Sequence, residues 1–68
     1  MKVYPNPSDG FIHIDQVIDG VRYRLIDQKG KVIQSGDRLQ SDMDLSSLRD
    51  GVYYLQTQTN GTYRIVIR

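Results

Sequence analysis

Asp44-Leu45-Ser46-Ser47-Leu48-Arg49-Asp50-Gly51-Val52-Tyr53-Tyr54-Leu55-Gln56-Thr57-Gln58-Thr59 is the stretch on which the reading of this chain turns. It joins the end of a short strand, a sharp corner and a long strand. Leu48 stands five residues before Tyr53, with Asp50-Gly51 between them. That spacing suits a corner in which a tyrosine at the start of a strand turns its ring into the core while its hydroxyl satisfies the backbone of the preceding turn. Leu48 caps the core beside the ring in this reading, and Gly51 supplies backbone freedom to the corner. The stretch is architectural, not catalytic.

Outward from the corner, size and composition narrow the choices. A chain of 68 residues buries only about 60% of the surface its unfolded form exposes, which leaves room for one small core and little for a deep pocket. The acids are all Asp, with no Glu, Ala, Trp or Cys, while Val, Ile, Tyr and Thr are abundant. Such usage disfavours helix and favours strands punctuated by turns. Formal net charge is +1 with both signs interspersed, so there is no electrostatic footprint for nucleic acid and no such partner is expected. Without cysteine the redox compartment is not legible. The chain shows no secretory leader and no apolar run of transmembrane length. It is expected to be a single domain, residues 1–68, excised from a longer parent chain that carries any leader, with Met1 an artificial start.

The remaining segments alternate as strands do. Lys2-Val3-Tyr4 reads as a short strand. Pro5-Asn6-Pro7-Ser8-Asp9-Gly10 cannot continue it, because the prolines remove ladder donors and Asp-Gly favours a turn. Phe11-Ile12-His13-Ile14-Asp15 places Ile12 and Ile14 on a core face with Phe11 and His13 opposite. Asp19-Gly20 marks the next reversal. Val21, Tyr23 and Leu25 alternate with Arg22 and Arg24, the pattern of a strand with one wet face. A loop of Gln28 to Gly30, with Gly30 left-handed, puts Asp27 opposite Lys31 and Leu25 opposite Ile33. Val32 and Ile33 carry the return strand, which ends at Ser35-Gly36-Asp37. The chain is then polar except for Leu39, as expected of a connection crossing between sheets. Met43-Asp44-Leu45 is a brief strand, and Ser46 to Arg49 is too short for more than one helical turn.

For the last hairpin, Asn60-Gly61 suggests a two-residue turn. That turn pairs Leu55 with Val66 and sets Tyr53 and Leu55 on the face of Arg64 and Arg68. A loop of Thr59, Asn60 and Gly61 pairs Leu55 with Ile65 and Tyr53 with Ile67 instead. A one-residue slip inverts every side chain, so the apolar pattern favours the second register. The sum is an all-β fold, an immunoglobulin-like antiparallel β-sandwich of about seven short strands.

Four ordered pieces of this sequence resemble the C-terminal sorting domain of the type IX secretion system of Bacteroidetes. Val3-Tyr4-Pro5-Asn6-Pro7-Ser8-Asp9-Gly10 is similar to its opening motif, and Ile26-Asp27 through Gly30-Lys31-Val32 to its central turn. Asp44-Leu45-Ser46 with Leu48 and Gly51-Val52-Tyr53 is similar to its late motif, and Arg64-Ile65-Val66-Ile67-Arg68 to its basic and aliphatic ending. The resemblance implies a secretion signal that directs an upstream, covalently linked cargo across the outer membrane of a Gram-negative bacterium, so that the cargo is secreted or held at the cell surface. The implied partners are the type IX translocon, its outer-membrane shuttle, and a sortase-like cysteine protease that usually removes the domain while anchoring cargo to lipopolysaccharide. Pro5, Asn6, Pro7, Gly10, Gly51, Tyr53, Arg64 and Arg68 are the residues it implies for recognition by the translocon.

Other features have plainer readings. His13, with no Cys or Glu nearby, reads as an outward strand residue and not a ligand or base. Asp42, Asp44 and Asp9 lack the ligand run of a calcium loop. Ser46 and Ser47 have no base beside them and suit turn hydrogen bonding. Arg22, Arg24, Arg64 and Arg68 form a solvated face that discourages edge pairing. No enzyme activity, cofactor or metal is expected. The alternatives are an immunoglobulin-like carbohydrate-binding or adhesive module, which needs Phe11 and Tyr54 in one flat exposed patch, and a structural spacer. The last strand is expected at a sheet edge, where pairing with a second copy gives a weak homodimer.

Overall fold

The computed structural model describes residues 2–5, 7–15, 21–58 and 61–68. The described residues form seven strands and no helix: β1 (Lys2–Tyr4), β2 (Phe11–Asp15), β3 (Tyr23–Asp27), β4 (Val32–Gly36), β5 (Asp42–Asp44), β6 (Gly51–Thr57) and β7 (Gly61–Ile67). They make a three-stranded sheet, β1-β2-β5, and a four-stranded sheet, β4-β3-β6-β7, with all neighbours antiparallel. In immunoglobulin nomenclature this is A-B-E against C′-C-F-G, with the corner tyrosine opening strand F.

The core follows from period-two alternation. Ile12 and Ile14 face inward from one sheet, and Leu25, Tyr53, Leu55, Ile65 and Ile67 from the other. Leu25 and Leu55 are paired directly across β3 and β6, and neither has any exposed surface. Each fully buried Leu or Ile contributes about 1.5 to 3 kcal/mol against solvent exposure. The crossing between sheets is pinned by buried Leu39, whose N–H donates to the carbonyl of Val21 at 2.8 Å. Met43 and Leu45 close the core beneath it.

Two expected registers differ from those observed. In the last hairpin Tyr53 pairs with Ile65, Leu55 with Tyr63 and Thr57 with Gly61, so the register slips by two residues from the expected one. Gly61, left-handed at φ 84°, ends the loop, and the Thr57 hydroxyl donates to its carbonyl at 2.8 Å. Inward and outward faces are unchanged by a slip of two. Thr59 and Asn60 themselves lie outside the described residues.

In the β3–β4 hairpin, Asp27 N–H donates to Lys31 O at 3.0 Å and Gly30 is left-handed at φ 83°, as expected. A bulge follows: Ile26 pairs with Val32 but Leu25 with Gln34, which leaves Ile33 as the extra residue. The expected pairing of Leu25 with Ile33 is not formed, and Val32 and Ile33 are both exposed. Bulging an edge strand in this way spoils it as a template for pairing. Strand β5 runs one residue earlier than expected, with Leu45 buried just after it. The reversal expected at Asp19-Gly20 lies outside the described residues.

Candidate functional site

The corner forms as its spacing implies. Tyr53 is 8% exposed, and its hydroxyl donates to the carbonyl of Arg49 at 2.8 Å. Leu48 packs against the core beside it, and Leu48 N–H donates to Leu45 O at 3.0 Å to close the turn. Gly51 opens β6 and pairs with Ile67; a Cβ there would meet the Tyr53 ring at an ordinary 3.8 Å.

The proline-flanked segment then closes over the end of β7. Ser8 N–H donates to Val66 O at 2.7 Å and Arg68 N–H donates to Ser8 O at 2.9 Å, a short parallel bridge along the edge of the sheet. Ser8 is buried, and its hydroxyl accepts from Gly10 N–H at 3.0 Å while donating to Phe11 O at 3.1 Å. Every polar group of this serine is thereby used, as a buried site demands. Gly10 is left-handed at φ 117°, and a Cβ there would lie 2.7 Å from Ser46 Cα, which no side chain tolerates. Its carbonyl accepts from Leu45 N–H at 2.6 Å.

Asp44 finishes this corner. Its carboxylate accepts from the Ser46 hydroxyl at 2.6 Å and from Ser46 N–H at 3.0 Å. Those two bonds, the hydroxyl first, hold its pKa below the ordinary aspartate value. Asp27 plays the matching part in the central turn, where its carboxylate accepts from Lys29 N–H and Lys31 N–H, each at 2.9 Å.

Four separated segments therefore meet at one end of the sandwich. Asp27 pairs with Tyr53, Tyr53 with Ile65 and Gly51 with Ile67; Ser8 bridges Ile67, and Gly10 packs on Ser46. Of the residues singled out from sequence, Pro5, Pro7, Arg64 and Arg68 are exposed, whereas Gly10 and Tyr53 are buried and Gly51 is half-buried. Asn6 lies outside the described residues. Sequence reasoning missed Ser8, the hub of the clasp; its one signal was a serine two residues before a turn glycine, a spacing that permits a hydroxyl to backbone bond.

The side chains with catalytic chemistry are spread apart among the described residues. Ser46 and Ser47 are exposed with no histidine beside them, and His13 is an outward strand residue whose Nδ1 meets Asp42 Oδ1 at 2.5 Å. Among the described residues no three potential metal-ligating side chains cluster. One concavity, an open depression of about 590 Å³ lined by Arg22, Arg24, Ser35, Gln56 and Gln58 among others, is built without any residue of the four segments. Phe11 and Tyr54 do not share a patch: they point outward from opposite sheets, because their neighbours Ile12 and Leu55 both point in.

No curated protein sequence matches the chain. The family model described as the secretion system C-terminal sorting domain matches residues 2–68. All four converging segments fall within that match, and the two-sheet fold is the one their resemblance implies. This chain belongs to the type IX secretion C-terminal sorting domains, a family of sorting signals and not of catalysts, by which cargo is exported to the cell surface or the medium.

Proposed function

We propose that this domain works as a folded address, read by the translocon and its outer-membrane shuttle at the end of the sandwich where the four segments meet. The observation that carries the reading is the convergence itself: segments scattered from residue 3 to residue 68 share one small region through backbone bonds. Exposed Pro5, Pro7, Arg64 and Arg68 are the groups available for contact there, while Gly10, Gly51 and Tyr53 act by shaping the surface. Asn6 is assigned to the contact set by the family resemblance alone. The cargo lies upstream of Lys2, and a sortase-like cysteine protease cuts at that junction once the cargo has crossed.

The test is transplantation. Residues 1–68 fused to the C-terminus of a periplasmic reporter, with native linker where needed, are expected to carry the reporter across the outer membrane in a host with the type IX system. The paired change Arg64→Asp with Arg68→Asp alters exposed charge, which usually shifts stability by under about 0.5 kcal/mol. A variant that melts normally yet stays in the periplasm makes the basic ending a recognition element, and export at the original level confines those arginines to solvation. Failure of the intact fusion in several such hosts sinks the address reading.

A further inference from the structure

Sheets that face water on one side alternate apolar and polar residues, whereas strands covered on both faces read as continuous apolar runs. The four-stranded sheet alternates at one end only. Toward the end where the segments meet, Val52-Tyr53-Tyr54-Leu55, Leu25-Ile26 and Ile65-Val66-Ile67 are unbroken. Tyr53, Leu55, Leu25, Ile65 and Ile67 point into the core. Their neighbours Ile26, Val52, Tyr54 and Val66 therefore point outward, and all four are only half-buried.

Register places these outward side chains together. Val32, Ile26, Tyr54 and Arg64 make one row across all four strands, with Val52 paired to Val66 in the next row. On the other side of that row stand Ser35, Arg24, Gln56 and Thr62, where an Arg24 N–H donates to Gln56 Oε1 at 2.9 Å. The outer face is thus an apolar centre bordered by Arg24, Gln56 and Arg64. Apolar centre and polar rim, with arginine favoured, is the anatomy of a protein interface; the acid at the border, Asp37, is already paired with Arg22. The opposite outer face has another character: Asp15, Asp42 and Asp44 point outward there beside Phe11 and His13.

We propose that the outer face of β3, β6 and β7, centred on Tyr54, is where the export machinery docks, and that the docking surface of the partner is apolar with a carboxylate rim. This inference rests on the address reading and names the surface through which it acts. The charge of the rim selects the occupant: Arg24 and Arg64 oppose an acidic partner, and an arginine-bearing copy of the same face would be repelled. Tyr54 is the anchor, since a large aromatic flanked by Ile26, Val52 and Arg64 is what interface centres use.

The test fuses the domain to a periplasmic reporter and compares Val52→Thr with Tyr54→Thr, made together, against Phe11→Thr on the opposite sheet. Threonine keeps strand propensity while removing the apolar surface. The expected result is a doubly substituted domain that melts cooperatively as before, with surface display of the reporter reduced at least about tenfold, the loss typical of an interface anchor. The Phe11→Thr fusion is expected to export normally. Should the pair not fold, Tyr54→Thr alone carries the same comparison. A folded Tyr54 variant displayed at the level of the unsubstituted fusion overturns this inference and leaves the address reading standing. An unsubstituted fusion that is not displayed overturns the address reading, and this surface with it.

Discussion

Replacing Tyr53 by Phe separates the two jobs of the corner. The ring is kept in the core, and the bond from its hydroxyl to Arg49 O, 2.8 Å long, is lost. A partly buried carbonyl deprived of its donor costs about 1 kcal/mol, within a range of roughly 0.5 to 1.5. Unfolding entropy near 60 °C is about 2.1 cal/mol/K per residue, so for 68 residues it is roughly 0.14 kcal/mol/K and a 1 kcal/mol loss lowers Tm by about 7 °C. Tyr53→Ala also removes the ring and leaves a cavity, at about 3 to 5 kcal/mol. A single core of this size rarely supplies more than about 3 to 5 kcal/mol in all, so that variant is expected to be largely unfolded at 25 °C. Thermal and urea denaturation followed by circular dichroism reads both. A Phe variant that melts with the unsubstituted protein would refute the role of the hydroxyl, and equal losses for Tyr53→Ala and Tyr54→Ala would refute the assignment of faces.

Gly10→Ala is expected to cost at least about 1 to 3 kcal/mol from its left-handed backbone alone, with more from the contact with Ser46; an unchanged urea midpoint would show that this turn can relax. Ser8→Ala leaves the Gly10 N–H buried without its acceptor, at about 1 to 3 kcal/mol, and hydrogen exchange at Gly10 and Arg68 should quicken in step. Asp44, with its pKa depressed in the folded state, contributes stability that is present above the unfolded value of 3.8 and is lost as pH falls through and below it. Asp44→Asn should therefore destabilise at pH 7 and have little effect near pH 2, and equal effects at the two values would remove that linkage. Weak, concentration-dependent association through an edge of the four-stranded sheet is expected in sedimentation velocity, and a strict monomer at high concentration would strike pairing with a second copy from the partners.

What the sequence made legible follows from period two. Ile12, Ile14, Leu25, Tyr53, Leu55, Ile65 and Ile67 all lie on the faces their alternation assigns. Register was less legible for the same reason, because a slip of two residues keeps every face and so leaves no mark in the apolar pattern. Among the described residues, the left-handed Gly61 and its bond with Thr57 mark the observed hairpin. The bulge at Ile33 had no signature either, since Val32 and Ile33 are both apolar and neither is buried. Arg22 and Arg24 are exposed as their alternation implies, but they give no sign that the same outer face turns half-buried toward Ile26, Val52 and Val66 at its other end. The corner was readable because Tyr53 and its acceptor are four residues apart; the clasp joins Ser8 to Val66 and Arg68, a distance that local chemistry does not encode.

The bridge between Ser8 and Ile67 is parallel, and that direction has a mechanical meaning. The chain enters the bridge through Pro7 and passes out of it at Arg68, at opposite ends of the paired segment. Tension applied between Pro7 and Arg68 therefore runs along the strands, so that the bonds from Ser8 to Val66 and from Arg68 to Ser8 share the load in shear. An antiparallel hairpin pulled at its open end would instead peel apart one bond at a time. A pull applied between Pro7 and Arg68 therefore meets more resistance than the same number of bonds would offer in a hairpin opened from its end.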